Sequence, residues 1–369
     1  MDYKQALNSW LIDSKEYLAG KTFEYVMEKY GLKREQIIRL AGNESTIGTS
    51  PRAIAAATEA VKSSNYYDEP ASESLITALE YKFEADGINI DELGIVVGNG
   101  MDSVIEHLLM LFTNNSSSIV DMSPTFIYYD YAARRAGLEV IQVRRDEYFS
   151  IDVEKVLAAV KKNTKIVFLC SPNNPDGSII DLATIEYLAK ELNQKNIILF
   201  VDHAYIEFTD RKQYDARVLV EKYSNVVVGY TFSKAYALAG FRVGYALMSK
   251  ALQRKYLSLI TPFLCTRASI AAAKAALLDM EHFNKILANN EIGRTFLSQE
   301  LKRLGYKVYN SQANFILFSG AQLSNLMTEK LMAQGVIIRA IPYVSEYALR
   351  VTIGTESENR KFIKAMTNV

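Results

Sequence analysis

The stretch "NVVVGYTFSKAYALAGFRVGY" runs from Asn225 to Tyr245. Its first eight residues are mostly apolar, β-branched or aromatic, the pattern of a strand buried on both faces. Where that strand has to stop, the chain places Ser233-Lys234, and eight residues later Arg242. A lysine is well solvated on any helix face. At the mouth of an apolar sheet its charged form is disfavoured, so the position itself asks for a reason.

Working outward, six more short apolar runs accompany this one: "GIVVG", "SSIVDM", "LEVIQV", "KIVFLC", "IILFVD" and "RVGYALM". Between most of them lie amphipathic segments of helical length, such as "DSVIEHLLMLF" and "DLATIEYLAKEL". Strands buried on both faces and alternating with helices predict an α/β fold with a mainly parallel, helix-covered, seven-stranded sheet. This large domain is expected over residues 41–250. After Lys250 the rhythm changes to two long helical patterns, near 266–279 and 281–304, followed by "YKVYN", "ANFILF", "GVIIRAI", "ALRVTIG" and a closing helix. That predicts a smaller α+β domain over 251–369. No Pro/Gly-rich linker separates the two, so a shared long helix or a tight junction is expected. Residues 1–40 read as an N-terminal arm packing with the small domain, its "KTFEYVMEKYG" helix closed by Gly31.

Bulk composition narrows the function. Of 369 residues, 49% are hydrophobic, and 42 Lys+Arg balance 42 Asp+Glu. No surplus of positive charge points to nucleic acid or an anionic membrane. The first residues lack the apolar core of a signal peptide, and no apolar run approaches the ~20 residues of a membrane span. A cytoplasmic protein is expected. Cys170 and Cys265 sit in apolar settings and read as reduced core thiols.

In an open α/β sheet, ligands bind beyond the carboxyl ends of the strands. Five of the strand-like runs end in polar or stackable residues: Asn99-Gly100-Met101-Asp102-Ser103, Ser123-Pro124-Thr125-Phe126, "SPNNPDG" with Asn174, Asp202-His203-Ala204-Tyr205, and Ser233-Lys234. Singly, each has an ordinary reading as a turn, a cap or a satisfied core group. Together they ask for one ligand. A lysine amine in a desolvated pocket attacks carbonyls. A helix N-terminus with Ser233 and Arg242 suits a phosphate. An aspartate behind the site suits a cationic ring nitrogen, an asparagine and a tyrosine suit a ring oxygen, and a phenylalanine suits a ring face. A phosphate, an aldehyde, a pyridine nitrogen and a ring hydroxyl in one small molecule describe pyridoxal 5′-phosphate. No metal ligand set is called for.

The same residues carry a resemblance. "SPNNPDG", "VDHAYIEF", "TFSKAYALAGFRVGY" and "ALRVTIGT" stand in the order and spacing of the fold-type I aminotransferases, and the chain resembles their histidinol-phosphate branch from "LAGNESTIG" to its C-terminus. The resemblance implies that Lys234 holds the cofactor covalently and carries the proton, and that Asp202 pairs with the ring nitrogen. It implies that Tyr205 and Asn174 bind the ring oxygen and that Phe126 stacks on the ring. Gly100, Met101, Asp102, Ser233 and Arg242 would hold the cofactor phosphate, with Tyr67 reaching in from a second subunit. A homodimer with shared active sites follows from that. Arg350 would receive an acidic group of the substrate, with Arg339 and Tyr17 also on the substrate side. The implied reaction passes an amino group from L-histidinol phosphate to 2-oxoglutarate, a small-molecule donor and a 2-oxo acid, by a ping-pong scheme in histidine biosynthesis.

Two departures stand out: His203 where such enzymes usually carry glutamate, and Asp176 where they usually carry threonine. His203 is expected one pleat away from the cofactor side, and Asp176 is expected only to alter a turn. "GNES" and "PFLCTR" also differ from the common pattern, which leaves an aromatic amino-acid aminotransferase or a threonine-phosphate decarboxylase-like enzyme as alternatives within the same chemistry. A nicotinamide-dependent dehydrogenase would use "GNGMDS" but gives Lys234 no role, and Ser103 stands where a third glycine belongs. A ligand-sensing regulator would need a DNA-binding module, for which the arm is too short, and the chain is not basic.

Overall fold

The computed structural model describes residue 7, residues 20–112, residue 114 and residues 116–369. Its strands in chain order are β1 (Ile38–Arg39), β2 (Leu93–Asn99), β3 (Ser118–Asp121), β4 (Glu139–Gln142), β5 (Thr164–Cys170), β6 (Ile198–Asp202), β7 (Val226–Thr231), β8 (Val243–Ser249), β9 (Lys307–Val308), β10 (Phe315–Ser319), β11 (Val336–Ile337), β12 (Arg339–Ala340) and β13 (Ala348–Thr352). The seven apolar runs form one sheet in the order β2-β8-β7-β6-β5-β3-β4. Its β7, β6, β5, β3 and β4 pair in parallel, while β8 lies antiparallel between β2 and β7.

Both faces of this sheet are covered, and the strand sequences show why. In β6, Leu199 and Val201 enter one core, while Ile198 and Phe200 enter the other. In β7, Val226, Val228 and Tyr230 face the first core and Val227 the second. With apolar partners required on both sides, the period-two alternation disappears and the run becomes continuously apolar.

A second sheet, β12-β13-β10-β9, is antiparallel, and β1 pairs in parallel with β11. The helix Phe23–Tyr30 begins at Thr22, whose hydroxyl accepts from Tyr25, and ends at Gly31 in the left-handed region with φ +65°. Its Val26 packs with Ile37, Met332 and Ile337, beside the small sheet.

One expected boundary needs correction. The helix Arg267–Leu278, expected in the small domain, packs into the core of the large sheet through Ile270, Ala273 and Leu277. The next helix, Met280–Arg303, contributes Ile286 to the large-sheet core and Leu297 and Leu301 to the small-domain core. The strand–helix rhythm ends near residue 250, but one sheet face still needs cover, and the following helix supplies it. Among the described residues, no helix is long and apolar enough to cross a membrane.

At Gly244 in β8 the sheet comes into contact with the start of the helix Gly100–Phe112: a β-carbon there would lie 2.3 Å from the Met101 amide nitrogen. Gly244→Ala must therefore push that helix start outward, at a cost of about 1–3 kcal/mol. A urea titration followed by circular dichroism measures it, and an unchanged midpoint is the contrary result.

Candidate active site

A cavity of about 430 Å³ opens where the large sheet meets the small domain. Its floor comes from the carboxyl ends of β5, β6 and β7, through Asn174, Asp202, Tyr205, Ser233 and Lys234. The reversal of β8 completes it. Because β8 runs against its neighbours, its first residues sit at the edge where those strands end, with Val243 opposite Asn99 and Gly244 opposite Thr231. Arg242 just before β8 thus arrives beside the start of the helix Gly100–Phe112. The Gly100 N–H donates to the Arg242 carbonyl at 2.9 Å. Arg242 holds a left-handed φ of +53°, a conformation that residues other than glycine adopt at some energetic cost. Gly100 has φ +73°, and a β-carbon on it would lie 2.4 Å from the Arg242 guanidinium. That guanidinium donates to Asp102 Oδ2 at 2.8 Å.

Lys234 Nζ donates to the Gly42 carbonyl at 3.2 Å. Burial first, and then the Arg350 guanidinium, push its amine down to about 8, with Glu44 and Asp102 pulling the other way. A lysine that loses its proton near neutrality is a usable nucleophile. Asp202 is pushed up to about 6, by burial above all; hydrogen bonds from Tyr129 and the Ala204 amide oppose the rise. Burial raises the Tyr205 phenol as well, and its oxygen accepts from Asn43 Nδ2 at 3.1 Å. Phe126 lines the wall.

Two arginines close the far side. Arg339 on β12 and Arg350 on β13 are register partners on adjacent antiparallel strands, so both reach the cavity from one sheet. Arg350 donates to Asn174 Oδ1 and, at 3.0 Å, to the Ala41 carbonyl, which ties the small domain to the large.

Of the residues singled out from sequence, Met101, Asp102, Phe126, Asn174, Asp202, Tyr205, Ser233, Lys234, Arg242, Arg339 and Arg350 line this cavity, and Gly100 adjoins it. Tyr67 does not; it is 81% exposed and stacks on Phe263 at 4.7 Å between ring centroids. Tyr17 lies outside the described residues.

Other participants carried no clear sequence signal. Asn43 and Glu44 line the cavity, and Glu44 accepts a hydrogen bond from Arg39, which lies beside it on the same wall. The "GNES" stretch marked the place but not the roles. Tyr129, fully buried, donates to Asp202. His203 is fully buried behind the site: its Nδ1 lies 2.6 Å from the Ser171 carbonyl and its Nε2 accepts from the Ala216 amide at 2.9 Å. Nε2 as acceptor makes Nδ1 the protonated nitrogen, and burial lowers the ring's proton affinity, so it is neutral. Asp176 acts within its own turn, as expected. Buried, it accepts from Asn173 Nδ2 at 2.5 Å and from the Ser178 amide at 2.8 Å.

The family model described as aminotransferase class I and II matches residues 35–366. A histidinol-phosphate aminotransferase of Methanosarcina mazei is 37% identical over 98% of this chain and 96% of its own length. Its counterpart in Methanocella arvoryzae is 38% identical over 96% of each chain. Among solved structures, the histidinol-phosphate aminotransferase of Sinorhizobium meliloti in complex with pyridoxal-5′-phosphate superposes with a TM-score of 0.85, at 24% identity over 97% of this chain and 96% of that one.

The lowered proton affinity of Lys234 is directly measurable. Reductive methylation of the cofactor-free protein across pH, read by peptide mass spectrometry, should show Lys234 reacting with a midpoint near 8. Surface lysines should lag at about 10.4. A common midpoint for all of them would remove the special environment assigned to Lys234.

Proposed function

The chain belongs to the class I and II aminotransferases, and on that premise we propose that it binds pyridoxal 5′-phosphate and transfers the amino group of L-histidinol phosphate to 2-oxoglutarate, in a ping-pong scheme serving histidine biosynthesis. The observation that carries this reading is the convergence, in one cavity, of a neutralisable lysine, a buried carboxylate and a helix start with Arg242 beside it. The relatives that are 37–38% identical over nearly the whole chain bear the name of that activity, which supports the choice of donor.

The residues present fit the cofactor. Gly100 leaves room for the Arg242 guanidinium at a helix start, which suits a phosphate. Asp202 turns a buried carboxylate toward the same space. When bound, this cofactor supplies an aldehyde for amine capture and a ring that withdraws electrons from the carbon losing its proton.

The protein's own groups have separable tasks. Lys234 would hold the aldehyde carbon and, once released, move the proton between the two carbon positions. Asp202 would keep the ring nitrogen protonated, while Phe126 covers the ring face. Asn174 gives its carbonyl oxygen to Arg350, which leaves its amide Nδ2 to donate to the ring oxygen, beside the Tyr205 hydroxyl. Ser233, Arg242 and the turn Gly100-Met101-Asp102 would hold the phosphate.

On the substrate side, Arg350 would receive a carboxylate of the oxo acid, and Arg339 the phosphate of the donor. Tyr67, exposed and outside the cavity of its own chain, suits a residue that serves a second subunit. A cytoplasmic homodimer with shared sites is part of the same proposal.

The deciding experiment is a donor panel. The purified, cofactor-loaded protein receives L-histidinol phosphate, L-tyrosine, L-phenylalanine or L-threonine phosphate, with 2-oxoglutarate as acceptor. Highest kcat/KM with L-histidinol phosphate supports the proposal. Preference for an aromatic acid, or carbon dioxide released from threonine phosphate, replaces the substrate and leaves the family standing. Lys234→Ala should abolish turnover. Arg339→Ala should raise KM for L-histidinol phosphate about tenfold or more, the scale of a lost charge-assisted hydrogen bond, with a smaller change for 2-oxoglutarate. Equal changes for both substrates would unseat the role given to Arg339.

A further inference from the structure

Tyr129 belongs to the helix Tyr128–Arg135 and has no exposed surface. Its hydroxyl donates to Asp202 Oδ2, while Asp202 Oδ1 accepts from the Ala204 amide at 2.9 Å. Each carboxylate oxygen therefore has one donor from inside the protein, and these two bonds set the plane of the carboxylate. The remaining lone pairs face the cavity, whose floor Asp202 forms.

The ring of Tyr129 is itself held. It stacks on Phe168 of β5, with centroids 4.7 Å apart and planes 10° from parallel. Phe126, which lines the cavity wall, meets it edge-on at 5.5 Å and 89°. One buried side chain thus touches both the carboxylate on the cavity floor and the aromatic ring on its wall. Burial and the neighbouring carboxylate raise the phenol well above its ordinary value, so the proton stays on Tyr129 and the oxygen acts as donor.

Resting on the proposed cofactor, we infer that Tyr129 is the positioning residue for Asp202: its hydroxyl aims the carboxylate and favours its ionised form, ready for a protonated ring nitrogen. Without the hydroxyl, one carboxylate oxygen would be left buried and unpaired. Such an oxygen favours taking up a proton, and a protonated Asp202 gives a cationic nitrogen no counter-charge.

The test compares two cofactors in equilibrium binding to the cofactor-free protein: pyridoxal 5′-phosphate, and the analogue whose ring nitrogen is replaced by carbon. Tyr129→Phe keeps the stack on Phe168. It should weaken binding of the natural cofactor about tenfold or more, and leave the carbon analogue within about twofold. In an Asp202→Asn background the same change should cost nothing further. Equal weakening for both cofactors would mean that Tyr129 only supports the fold. Unchanged binding of both would mean that Asp202 does not depend on it. Either result overturns the inference. Should Tyr129→Phe fail to fold, Tyr129→His retains an N–H donor and is read by the same ratio: a kept preference for the nitrogen-bearing cofactor supports the inference, a lost one overturns it. A wild-type protein that binds neither cofactor would instead overturn the cofactor reading itself.

Discussion

Between β2 and β7 the large sheet inserts a strand that runs against both neighbours, and the active-site end of the molecule is organised around that reversal. Parallel strands bring only their carboxyl ends to the ligand-binding edge. An antiparallel β8 brings its beginning to the same edge, so that Arg242 stands beside Lys234, eight residues earlier in the chain, and beside the helix that starts at Gly100. The hydrogen bond from the Gly100 amide to the Arg242 carbonyl fixes the two chain segments to each other. Gly244, one residue into β8, lets the helix start approach to contact distance. The place of Arg242 at this edge is therefore a consequence of strand direction as much as of residue type.

Crowding cations around one lysine has a chemical consequence. Burial disfavours the ammonium form, and Arg350 adds to the effect. The protein answers the charge locally: Arg242 pairs with Asp102, Arg39 with Glu44, and Arg350 is held by the Asn174 and Ala41 oxygens. These pairings hold the guanidiniums in place around an amine that sheds its proton near neutrality. Asp202 sits at the opposite pole, in a setting that raises carboxylate proton affinity and is countered by two specific donors. His203, neutral and bonded to backbone on both ring nitrogens, adds no charge behind it.

The small domain is part of the site, not an appendage. Its β12–β13 pair delivers Arg339 and Arg350, and the Arg350–Asn174 contact crosses to the large domain. The helix Met280–Arg303 contributes to both cores. A displacement of one domain relative to the other would move Arg339 and Arg350 relative to Lys234.

Much of this was legible in the chain. Most of the seven strands could be read because burial on both faces makes each a largely apolar run; the edge strand β4 keeps Glu139 and Gln142 exposed. The residues at their ends could be read because a polar group following such a run has few other places to go. Phe126, Asn174, Asp202 and Lys234 were found in that way. Tyr129 was not, since "IYYDY" offers three tyrosines and helical phase alone does not say which one meets a carboxylate from a distant strand. The extent of the large domain was misjudged for a related reason: the helix Arg267–Leu278 looks the same in sequence whichever sheet it covers. Local pattern, then, determined the elements and the chemistry carried at their ends, because solvent exposure and backbone geometry act on each segment separately. The direction of β8, the pairing of Arg350 with Asn174 and the hold of Tyr129 on Asp202 were decided by tertiary structure alone, because each is a contact between segments whose meeting no local pattern records.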